Sequence, residues 1–288
     1  MLILDGTSLA AKFKGKIEDE VNALIKKGTT PSLHILLANA DDASAIYVRN
    51  KLNTCEKLSI RAKLHKFNPE SITQEDILQK ISLLNVDENV HGILCQLPLP
   101  KHINADMVAA AIAPKKDVDC FNPFNIGQLF NEETLLEPCT PKAIIALLHH
   151  YQIDLTGKRV VIIGRSKIVG KPLALMLLRK QNNATVTVCH SRSKNLKEIC
   201  LSADVLIPAL GKANFLNEDY IKPEAVVVDV GISKIRVGDK NKTCGDVDFN
   251  RVKDLVFAIS KVPGGVGPMT IHMLIDNLVK TTKMQTQK

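Results

Sequence analysis

The sequence contains no tryptophan, and aromatic residues make up only 4% of its 288 residues. Proteins that bind single-stranded nucleic acid stack the bases on aromatic side chains, so this shortage argues against such a platform. The net charge of +8 is spread along the chain rather than gathered in one stretch. We therefore expect no nucleic-acid partner. Most of the basic residues are interpreted as solvated surface groups, and their excess suits an enzyme that attracts anionic substrates and cofactors.

The sequence also lacks Cys-x-x-Cys pairs, long apolar runs and a signal peptide. Its seven cysteines are scattered and odd in number, which argues against a disulfide framework and against a zinc site. No apolar run approaches the roughly 20 residues needed to span a bilayer. The N-terminal residues Met-Leu-Ile-Leu-Asp-Gly have neither the basic nor the long apolar region of a signal peptide. These absences predict a cytoplasmic protein with reduced thiols, no metal site and no membrane partner.

What is present is an alternation of strand-like and helix-like segments. Strand-like apolar runs occupy 32–37, 61–67, 92–96, 160–164, 185–189, 205–208 and 226–230. Segments with the spacing of amphipathic helices lie between them, and this alternation predicts an α/β fold of two domains with mostly parallel sheets. We assign residues 1–139, completed by a C-terminal helix over 270–288, to the first domain. Residues 140–269 form a second, Rossmann-like nucleotide-binding domain.

Capping residues predict where three of the helices begin. Thr7 or Ser8 is expected to cap the first helix. A capping box is expected at Ser71–Gln74. Thr140 is expected to cap the helix that opens the second domain, with Pro141 at its first helical position.

Three stretches are expected to lack regular structure. Prolines and a glycine in 114–139 predict long loops, and the polar end 280–288 is expected to fray. The stretch Pro263–Pro268 reads Pro-Gly-Gly-Val-Gly-Pro. Its bare backbone would let a flat ligand approach main-chain groups closely, and the alternative is a structural turn before the last helix.

The stretch 158–172 is the one around which the second domain is organised. Its apolar part, 159–163, ends at Gly164, and a second glycine, Gly170, precedes a helical pattern. A buried strand that runs into a glycine-bearing turn and a helix N-terminus predicts an anion site for a cofactor phosphate. The motif is not Gly-x-Gly-x-x-Gly, and an ordinary connection between strand and helix is the alternative.

The residues after the next strand of this domain, 185–189, indicate which dinucleotide is bound. In many dinucleotide folds an acidic residue at this point holds the ribose 2′-hydroxyl. Here the strand is followed by His-Ser-Arg-Ser, with no carboxylate. The Ser191 hydroxyl and the Arg192 guanidinium suit a 2′-phosphate, so the residues favour NADP over NAD. Arg165 is expected to reach the same phosphate; the alternative is that Arg192 is a solvated surface residue.

Four polar residues are the candidates for catalysis. Tyr47 and Lys51 lie four apart on a predicted helix and so share one face. Gln96 ends an apolar strand, where parallel sheets place their ligands, and Asp119 lies in an irregular loop. A lysine beside an uncharged amide suits proton transfer. Most Tyr/Lys pairs at this spacing are surface residues, and spacing alone does not bring the four together.

Five motifs together resemble the bifunctional methylenetetrahydrofolate dehydrogenase/methenyltetrahydrofolate cyclohydrolase family over essentially all of residues 1–280. They are Tyr-Val-Arg-Asn-Lys at 47–51, Gly-Ile-Leu-Cys-Gln-Leu-Pro-Leu-Pro at 92–100, Lys-Asp-Val-Asp at 116–119, Gly-Arg-Ser-Lys-Ile-Val-Gly-Lys-Pro at 164–172 and Pro-Gly-Gly-Val-Gly-Pro-Met-Thr at 263–270. Each motif alone is moderately specific, but all five in this order are highly specific.

The resemblance implies a fold and an activity. One lobe would contain the N-terminal domain and the last helix, the other the Rossmann-like NADP-binding domain, with folate in the cleft between them. Such proteins are usually homodimers joined through the Rossmann domains. The implied reactions are oxidation of 5,10-methylenetetrahydrofolate to the methenyl form with NADP, and hydrolysis of that product to 10-formyltetrahydrofolate.

Roles for individual residues also follow from the resemblance. Lys51 would transfer protons with Gln96 hydrogen-bonded to it, Tyr47 would pack against the folate rings, and Asp119 would accept hydrogen bonds from the pterin edge. The folate site would also be lined by Gly264 and Gly265. The NADP site would be formed by Gly164, Arg165, Ser166, Ser191, Arg192 and Ile232.

Several departures from the family pattern and two alternative functions remain. Cys120 and Ser59 stand where the family usually has glycine, so a positive φ at Cys120 would be strained. Lys261 stands where the family usually has proline, and the loop 209–211, Ala-Leu-Gly, is slightly unusual. The nearest alternative keeps the fold and cofactor but only the dehydrogenase activity. A catalytically silent dinucleotide-binding protein is the alternative from a different class.

Overall fold

A computed structural model describes residues 1–237 and 240–286 of the chain. The chain forms two compact units. We call the first the large-sheet unit, which comprises Met1–Lys12 and Thr140–Thr270, and the second the small-sheet unit, which comprises Phe13–Cys139 and the residues from Ile271 onward. The sequence analysis placed residues 1–12 in the other domain. The structure differs there because the first strand pairs inside the large sheet.

Eleven strands and ten α-helices are found in the described residues. The strands are β1 (Leu2–Leu4), β2 (Ser32–Leu37), β3 (Arg61–Lys66), β4 (Gly92–Gln96), β5 (Arg159–Ile163), β6 (Thr185–Cys189), β7 (Val205–Pro208), β8 (Val226–Val227), β9 (Ser233–Val237), β10 (Lys240–Cys244) and β11 (Ala258–Ser260). The helices are α1 (Gly6–Lys26), α2 (Asp42–Lys57), α3 (Gln74–Val86), α4 (Ala105–Ala111), α5 (Pro123–Phe130), α6 (Cys139–His150), α7 (Gly170–Leu178), α8 (Leu196–Leu201), α9 (Phe249–Val252) and α10 (Val266–Thr286). None of these helices combines the length and apolar character of a membrane span.

The small-sheet unit is built on a three-stranded parallel sheet in the order β3-β2-β4. Leu37 at the end of β2 pairs with Gln96 of β4. The carboxyl ends of these strands therefore lie at one edge. A buried cluster that includes Leu36, Ile77 and Ile93 joins β2 and β4 to α3. This packing holds β4 in place and so fixes where Gln96 projects.

The large-sheet unit is built on a six-stranded parallel sheet in the order β1-β11-β8-β7-β5-β6. This confirms the predicted α/β class with a mostly parallel sheet. Ile163 at the end of β5 pairs with Cys189 of β6 on one side and with Pro208 of β7 on the other. The chain order reverses at β5, so the loops after β5 and β7 form the switch point at which such sheets bind ligands.

Two strands of the sheet and one hairpin were not predicted from sequence. β1 and β11 have three residues each, too few for a periodic pattern to show. β9 and β10 form an antiparallel hairpin whose sequence is largely basic and polar. The predicted strand at 226–230 is also shorter, since β8 ends at Val227.

All three predicted helix starts are wrong in detail. Helix α1 begins at Gly6, and the Asp5 carboxylate accepts the N–H groups of Thr7 and Ser8. The capping box is formed by Thr73 and Asp76, two residues after the expected one.

The start of α6 is displaced in the same way. α6 begins at Cys139, so Thr140 lies inside its first turn rather than at the cap. At the start of α1, the Asp5 carboxylate accepts backbone N–H groups as well as a hydroxyl would. The sequence alone therefore did not separate Asp5 from Thr7 and Ser8 as the capping residue.

The predicted long loops over 114–139 are partly wrong. Residues Pro114–Lys116 form a 3-10 turn, and Pro123 opens α5 behind the Asn122 cap, where a proline fits the first helical position. The proline that suggested a loop thus marks a helix start.

The C-terminal expectation is also corrected. Helix α10 begins at Val266, inside the expected loop, and continues to Thr286. Lys283 forms an ion pair with Glu20, and the Gln285 amide donates to the carbonyl of His91. These contacts hold residues that were expected to fray. Residues 287 and 288 of that prediction lie outside the described residues.

Candidate active site

The clearest feature of the small-sheet unit is a lysine bonded to an amide. The Lys51 ammonium donates to Gln96 Oε1 at 2.9 Å, and Gln96 Nε2 donates to the Leu97 carbonyl at 2.8 Å. The second bond fixes which end of the amide faces the lysine. Both side chains are partly buried, so a reactive nitrogen is held at a defined point while remaining reachable.

Helix α2 presents Lys51 because its N-terminus is anchored near the same strand. Asp41 caps the helix by accepting from the Ser44 backbone at 2.8 Å and from its hydroxyl at 2.9 Å. The Ser44 hydroxyl also approaches the Leu97 carbonyl at 3.4 Å. Tyr47 lies one turn before Lys51 and is half-buried on the same helix face. Burial raises the pKa of the Tyr47 hydroxyl, so it stays protonated at neutral pH.

Asp119 belongs to the same polar group. The backbone at Asp117 pairs with Ile93, which brings the segment that carries Asp119 alongside β4. Burial raises the pKa of Asp119. The positive charge of Lys51 and a hydrogen bond from the Cys139 side chain act in the opposite direction. The structure therefore brings Lys51, Gln96 and Asp119 together, an arrangement that spacing alone could not show.

A small cavity of about 30 Å³ lies beside Asp119. Asp117 also lines it, and the remaining wall is mainly apolar, with Cys95 and Phe121 among its residues. Burial raises the pKa of Asp117 to about 6, although Asn122 and Asn125 donate hydrogen bonds to it. The two carboxyl groups thus lie in surroundings that favour their neutral forms.

The cysteines near this site are not nucleophiles at neutral pH. Burial raises the pKa of Cys55 to about 12, and that of Cys95 to about 12 with a further contribution from the Asp119 charge. No disulfide joins any of the seven cysteines, all of which lie in the described residues. Those residues contain no cluster of three or more side chains that could hold a metal ion.

In the large-sheet unit the loop after β5 has the form expected of an anion site. Gly164 has φ +131°, and a Cβ there would lie 2.5 Å from the Ala209 carbonyl oxygen. A Cβ on Gly170 would overlap the Gly164 carbonyl. Both positions therefore require glycine. Arg165 and Ser166 are exposed, and the Ser166 hydroxyl accepts from the Val169 backbone at 3.1 Å just before α7.

The loop after β6 starts at the same edge of the sheet. Because Ile163 pairs with Cys189, residues 164–166 and 190–192 leave the sheet side by side. Ser191 and Arg192 are exposed, whereas the Ser193 hydroxyl accepts from the His190 backbone at 2.9 Å. Ile232, in the loop after β8, is 49% exposed. These side chains are therefore available to a ligand at this edge.

Two buried carboxylates hold the loops that follow β7 and β8. Asp246 accepts the backbone N–H groups of residues 210–212, and Asp229 accepts those of Gly231, Asp246 and Val247. Burial raises the pKa of Asp229 to about 6. Sequence analysis missed both carboxylates, because neither belongs to a motif that was singled out.

Gly264 and Gly265 have a structural role in the large-sheet unit. Gly264 has φ +108°, and its carbonyl accepts the N–H groups of Gly6 and Thr7 at the start of α1. A Cβ on Gly6 would overlap the Gly265 carbonyl. A cavity of about 320 Å³ adjoins this turn and is lined by residues that include Lys261, Val262 and Pro263. The turn at Gly264 and Gly265 is thus close-packed against the start of α1, and the residues that precede it line the cavity.

The fold and these two groups of residues define a class of protein. One unit is a doubly wound sheet with a glycine-bearing loop at its switch point, as in dinucleotide-binding enzymes. The other unit carries a lysine, an amide and a carboxylate suited to proton transfer.

Comparison with known proteins makes the assignment more specific. Residues 4–119 match the family model described as "Tetrahydrofolate dehydrogenase/cyclohydrolase, catalytic domain", and residues 138–286 match the corresponding NAD(P)-binding domain. The chain is 46% identical over 283 residues to the "Bifunctional protein FolD" of Ruminiclostridium cellulolyticum, covering 98% of each chain. It is 48% identical over 281 residues to that of Agathobacter rectalis, covering 98% of this chain and 99% of the relative. The chain belongs to the tetrahydrofolate dehydrogenase/cyclohydrolase family.

Solved structures agree with this assignment. The bifunctional FolD of Campylobacter jejuni superposes with a TM-score of 0.93 at 44% identity, covering 99% of each chain. The FolD of Trypanosoma brucei, described as complexed with NADP cofactor and inhibitor, superposes with a TM-score of 0.95 at 33% identity, covering 100% of this chain and 99% of that one. The resemblance stated from the five motifs is confirmed.

Proposed function

We propose that this chain is a bifunctional enzyme of one-carbon metabolism. It oxidises 5,10-methylenetetrahydrofolate to 5,10-methenyltetrahydrofolate with NADP, and it hydrolyses the methenyl product to 10-formyltetrahydrofolate. The observation that carries the proposal is the 2.9 Å bond between Lys51 Nζ and Gln96 Oε1, beside Asp119, in a member of this family. These are the proton-transfer groups that the second reaction needs.

The residues at the switch point fit NADP. The glycines at 164 and 170 leave room that a Cβ would fill, and backbone N–H groups at the start of α7 face the loop. Gly164, Arg165 and Ser166 would hold the phosphates of the dinucleotide.

The neighbouring loops would contact the 2′-phosphate and the nicotinamide side of the cofactor. Ser191 and Arg192 would bind the 2′-phosphate, since they carry a hydroxyl and a cation where an NAD site needs a carboxylate. Ile232 would lie against the cofactor. When bound, NADP accepts the hydride from the methylene carbon of the substrate.

On the folate side the chain would bind and orient the substrate and exclude water from it. Tyr47 would pack against the folate rings, and its raised pKa keeps the hydroxyl as a donor. Asp119 would accept hydrogen bonds from the pterin edge, and its ionised form is the stronger acceptor. Lys51 and Cys139 both favour that form. Gly264 and Gly265 would line the folate site through main-chain groups.

Lys51 would be the proton-transfer residue of the hydrolysis. Water adds to the methenyl carbon, and Lys51 in its neutral amine form accepts one proton from it. The bond between that carbon and N5 then breaks, and N5 takes up a proton as the carbon becomes the formyl group on N10. Of the two water protons, one ends on N5 and the other is released to solvent. Gln96 Oε1 keeps the lysine nitrogen in place through these transfers.

We infer three further properties. The protein would act in a reducing cytoplasm, since none of its seven cysteines forms a disulfide. Its 10-formyl product would supply one-carbon units for purine, histidine and methionine biosynthesis. It would be a homodimer joined through the large-sheet unit. There β6 ends the six-stranded sheet, and four of its five residues are less than fully buried, two of them exposed. Light scattering of the purified protein tests the dimer, and a monomer mass would contradict it.

Two separate assays test the function. In the first, purified protein receives 5,10-methylenetetrahydrofolate with NADP or NAD, and reduced cofactor is followed by its fluorescence. In the second, 5,10-methenyltetrahydrofolate is added without dinucleotide, and the decay of its absorbance is compared with the uncatalysed rate. We expect both signals, with NADP preferred to NAD.

The other outcomes separate the alternatives. Reduced cofactor without accelerated methenyl decay would indicate an enzyme with the dehydrogenase activity alone. Dinucleotide binding without either signal would indicate a catalytically silent binding protein and would overturn the proposal.

A further inference from the structure

Helix α10 carries one buried amide whose bonds lead to the Asp119 segment. Asn277 is fully buried. Its Nδ2 donates to the Val118 carbonyl at 2.8 Å and to the Glu137 carbonyl at 2.8 Å, and it lies 3.8 Å from Cys139 Sγ. An amide nitrogen has two hydrogens, so these two carbonyls use both. Each carbonyl is thereby satisfied without water.

The two carbonyls belong to the segments that carry Asp119 and its hydrogen-bond donor. Val118 immediately precedes Asp119. Glu137 lies two residues before Cys139, whose thiol shares its single hydrogen between the Asp119 carboxylate and the Val118 carbonyl, the latter at 3.5 Å. Asn277 therefore joins the backbone under the carboxylate to the backbone under its donor.

The Asp119 segment needs such restraint because of the residue that follows. Cys120 has φ +60° and is fully buried, and a side chain with a Cβ is rarely found in that conformation. Strained backbone persists when the surrounding structure holds it in place. The Cys120 thiol contacts the Leu136 carbonyl at 3.4 Å, so the same two segments are joined a second time.

We propose that Asn277 is a positioning residue for Asp119, and that it acts by holding residues 118 and 137 at the spacing that lets the Cys139 thiol meet the carboxylate. The inference rests on the proposed function, in which Asp119 binds the pterin. It assigns a substrate-positioning role to a residue of the last helix.

The test compares Asn277→Leu with Thr281→Val. Leucine is close to asparagine in size but removes the donor that joins the Val118 and Glu137 carbonyls. Thr281 is equally buried on α10, but its hydroxyl donates to Leu278 within the same helix, so its loss affects stability without reaching the Asp119 segment. Where the leucine variant does not fold, Asn277→Ser supplies the same measurement, because its single hydroxyl hydrogen can serve at most one of the two carbonyls and so breaks the bridge.

The primary readout is the division between KM and kcat in methenyl hydrolysis. For Asn277→Leu we expect the folate KM to rise about tenfold with kcat changed much less, because ground-state binding is lost. The KM for NADP stays as in the wild type. Thr281→Val lowers the melting temperature but leaves the folate KM unchanged. An unchanged folate KM in Asn277→Leu, or an equal rise in Thr281→Val, overturns the proposal.

A double-mutant cycle tests whether the effect passes through Asp119. Asp119→Asn alone should raise the folate KM, and adding Asn277→Leu to it should raise the KM little further, since residues that act as a unit are not additive. Effects that multiply in the double variant would contradict the proposal.

Cys139 gives an independent check within the same network. Cys139→Ser keeps a donor toward the carboxylate and should resemble the wild type, whereas Cys139→Ala should resemble Asn277→Leu. Equal KM values for the two cysteine variants would count against the network.

A measurement that does not depend on activity separates this inference from the proposed function. Hydrogen exchange at residues 118–121 should be faster in Asn277→Leu than in Thr281→Val and the wild type. If the wild type hydrolyses no methenyltetrahydrofolate, the proposed function fails, and the exchange result still decides whether Asn277 restrains this segment. Equal exchange in all three proteins overturns the restraint.

Discussion

Ser59→Gly should stabilise the protein, because Ser59 holds a left-handed backbone conformation at the end of the helix that carries Lys51. Its φ is +55°. Its N–H donates to the Glu56 carbonyl and the Ile60 N–H to the Cys55 carbonyl, the paired bonds of a Schellman helix end. That motif favours glycine at the position of Ser59, and the serine side chain is exposed.

The expected gain follows from two opposing effects. Left-handed φ costs an L-residue roughly 1–2 kcal/mol. Glycine removes this strain but loses roughly 0.5–1 kcal/mol through the greater entropy of its unfolded chain. The net gain in the free energy of unfolding is therefore about 1 kcal/mol or slightly less, which raises the melting temperature by about 2 °C in a chain of this size.

Scanning calorimetry of Ser59→Gly beside Ser59→Ala measures this gain. Alanine keeps the Cβ and so keeps the strain, and it should give no increase. Both variants should retain methenyl hydrolysis, because Ser59 lies outside the site. A neutral or destabilising Ser59→Gly, or an equal gain with Ser59→Ala, would refute the strain argument.

The same reasoning predicts the opposite result at Cys120. Its φ is also positive, at +60°, but its side chain is fully buried and contacts the Leu136 carbonyl. Glycine there would relieve the strain but leave a small cavity and remove one of the two side-chain donors to the Leu136 carbonyl, at a combined cost of about 1–3 kcal/mol. Cys120→Gly should therefore lower the melting temperature while Ser59→Gly raises it.

Three further predictions concern the site and the pH dependence of stability. Lys51→Met should slow methenyl hydrolysis by about 10²–10⁴-fold and leave NADP affinity unchanged. The control is Lys57→Met, since Lys57 is exposed on the same helix, and loss of NADP binding in Lys51→Met would contradict separate folate and cofactor sites. Ser191→Asp should weaken NADP relative to NAD in titrations, because a carboxylate would face the 2′-phosphate, and an unchanged preference would remove Ser191 from that site. Burial lowers the pKa of His34, and that of His65 to about 4, so their contribution to the free energy of unfolding is full above about pH 6.5 and is lost as the pH drops toward 4. Since both rings are partly exposed, we expect this contribution to be roughly 1–2 kcal/mol. Urea unfolding of the wild type and His65→Leu should show a difference in the pH slope of stability, and equal slopes would refute the prediction.

Much of the fold could be predicted because its signals are local. The apolar runs that became β2, β4, β5, β6 and β7 were identified within a residue of their ends, since a buried strand needs consecutive apolar residues. Caps were less predictable. Asp5 rather than Thr7 or Ser8 accepts the first N–H groups of α1, and all three are good capping residues in sequence.

The site was predicted in its residue types but not in its geometry. Tyr47 and Lys51 share a helix face by spacing alone. The bond from Lys51 to Gln96 joins residues 45 apart, and no local pattern indicates it. Roles for Gly264, Gly265 and Ile232 came only from the family resemblance and stay predictions.

The sequence by itself determined the α/β class, the glycine-bearing loop after β5 and the family, because periodicity, glycine positions and short motifs are properties of neighbouring residues. Only the tertiary structure decided that β1 joins the large sheet and that Lys51 and Cys139 act on the pKa of Asp119. It also decided that Asn277 donates to the carbonyls of Val118 and Glu137, which lie 159 and 140 positions away in the sequence. Such contacts form when packing closes long segments of chain. Their partners are selected by burial and hydrogen-bond satisfaction in three dimensions, which the order of residues does not display.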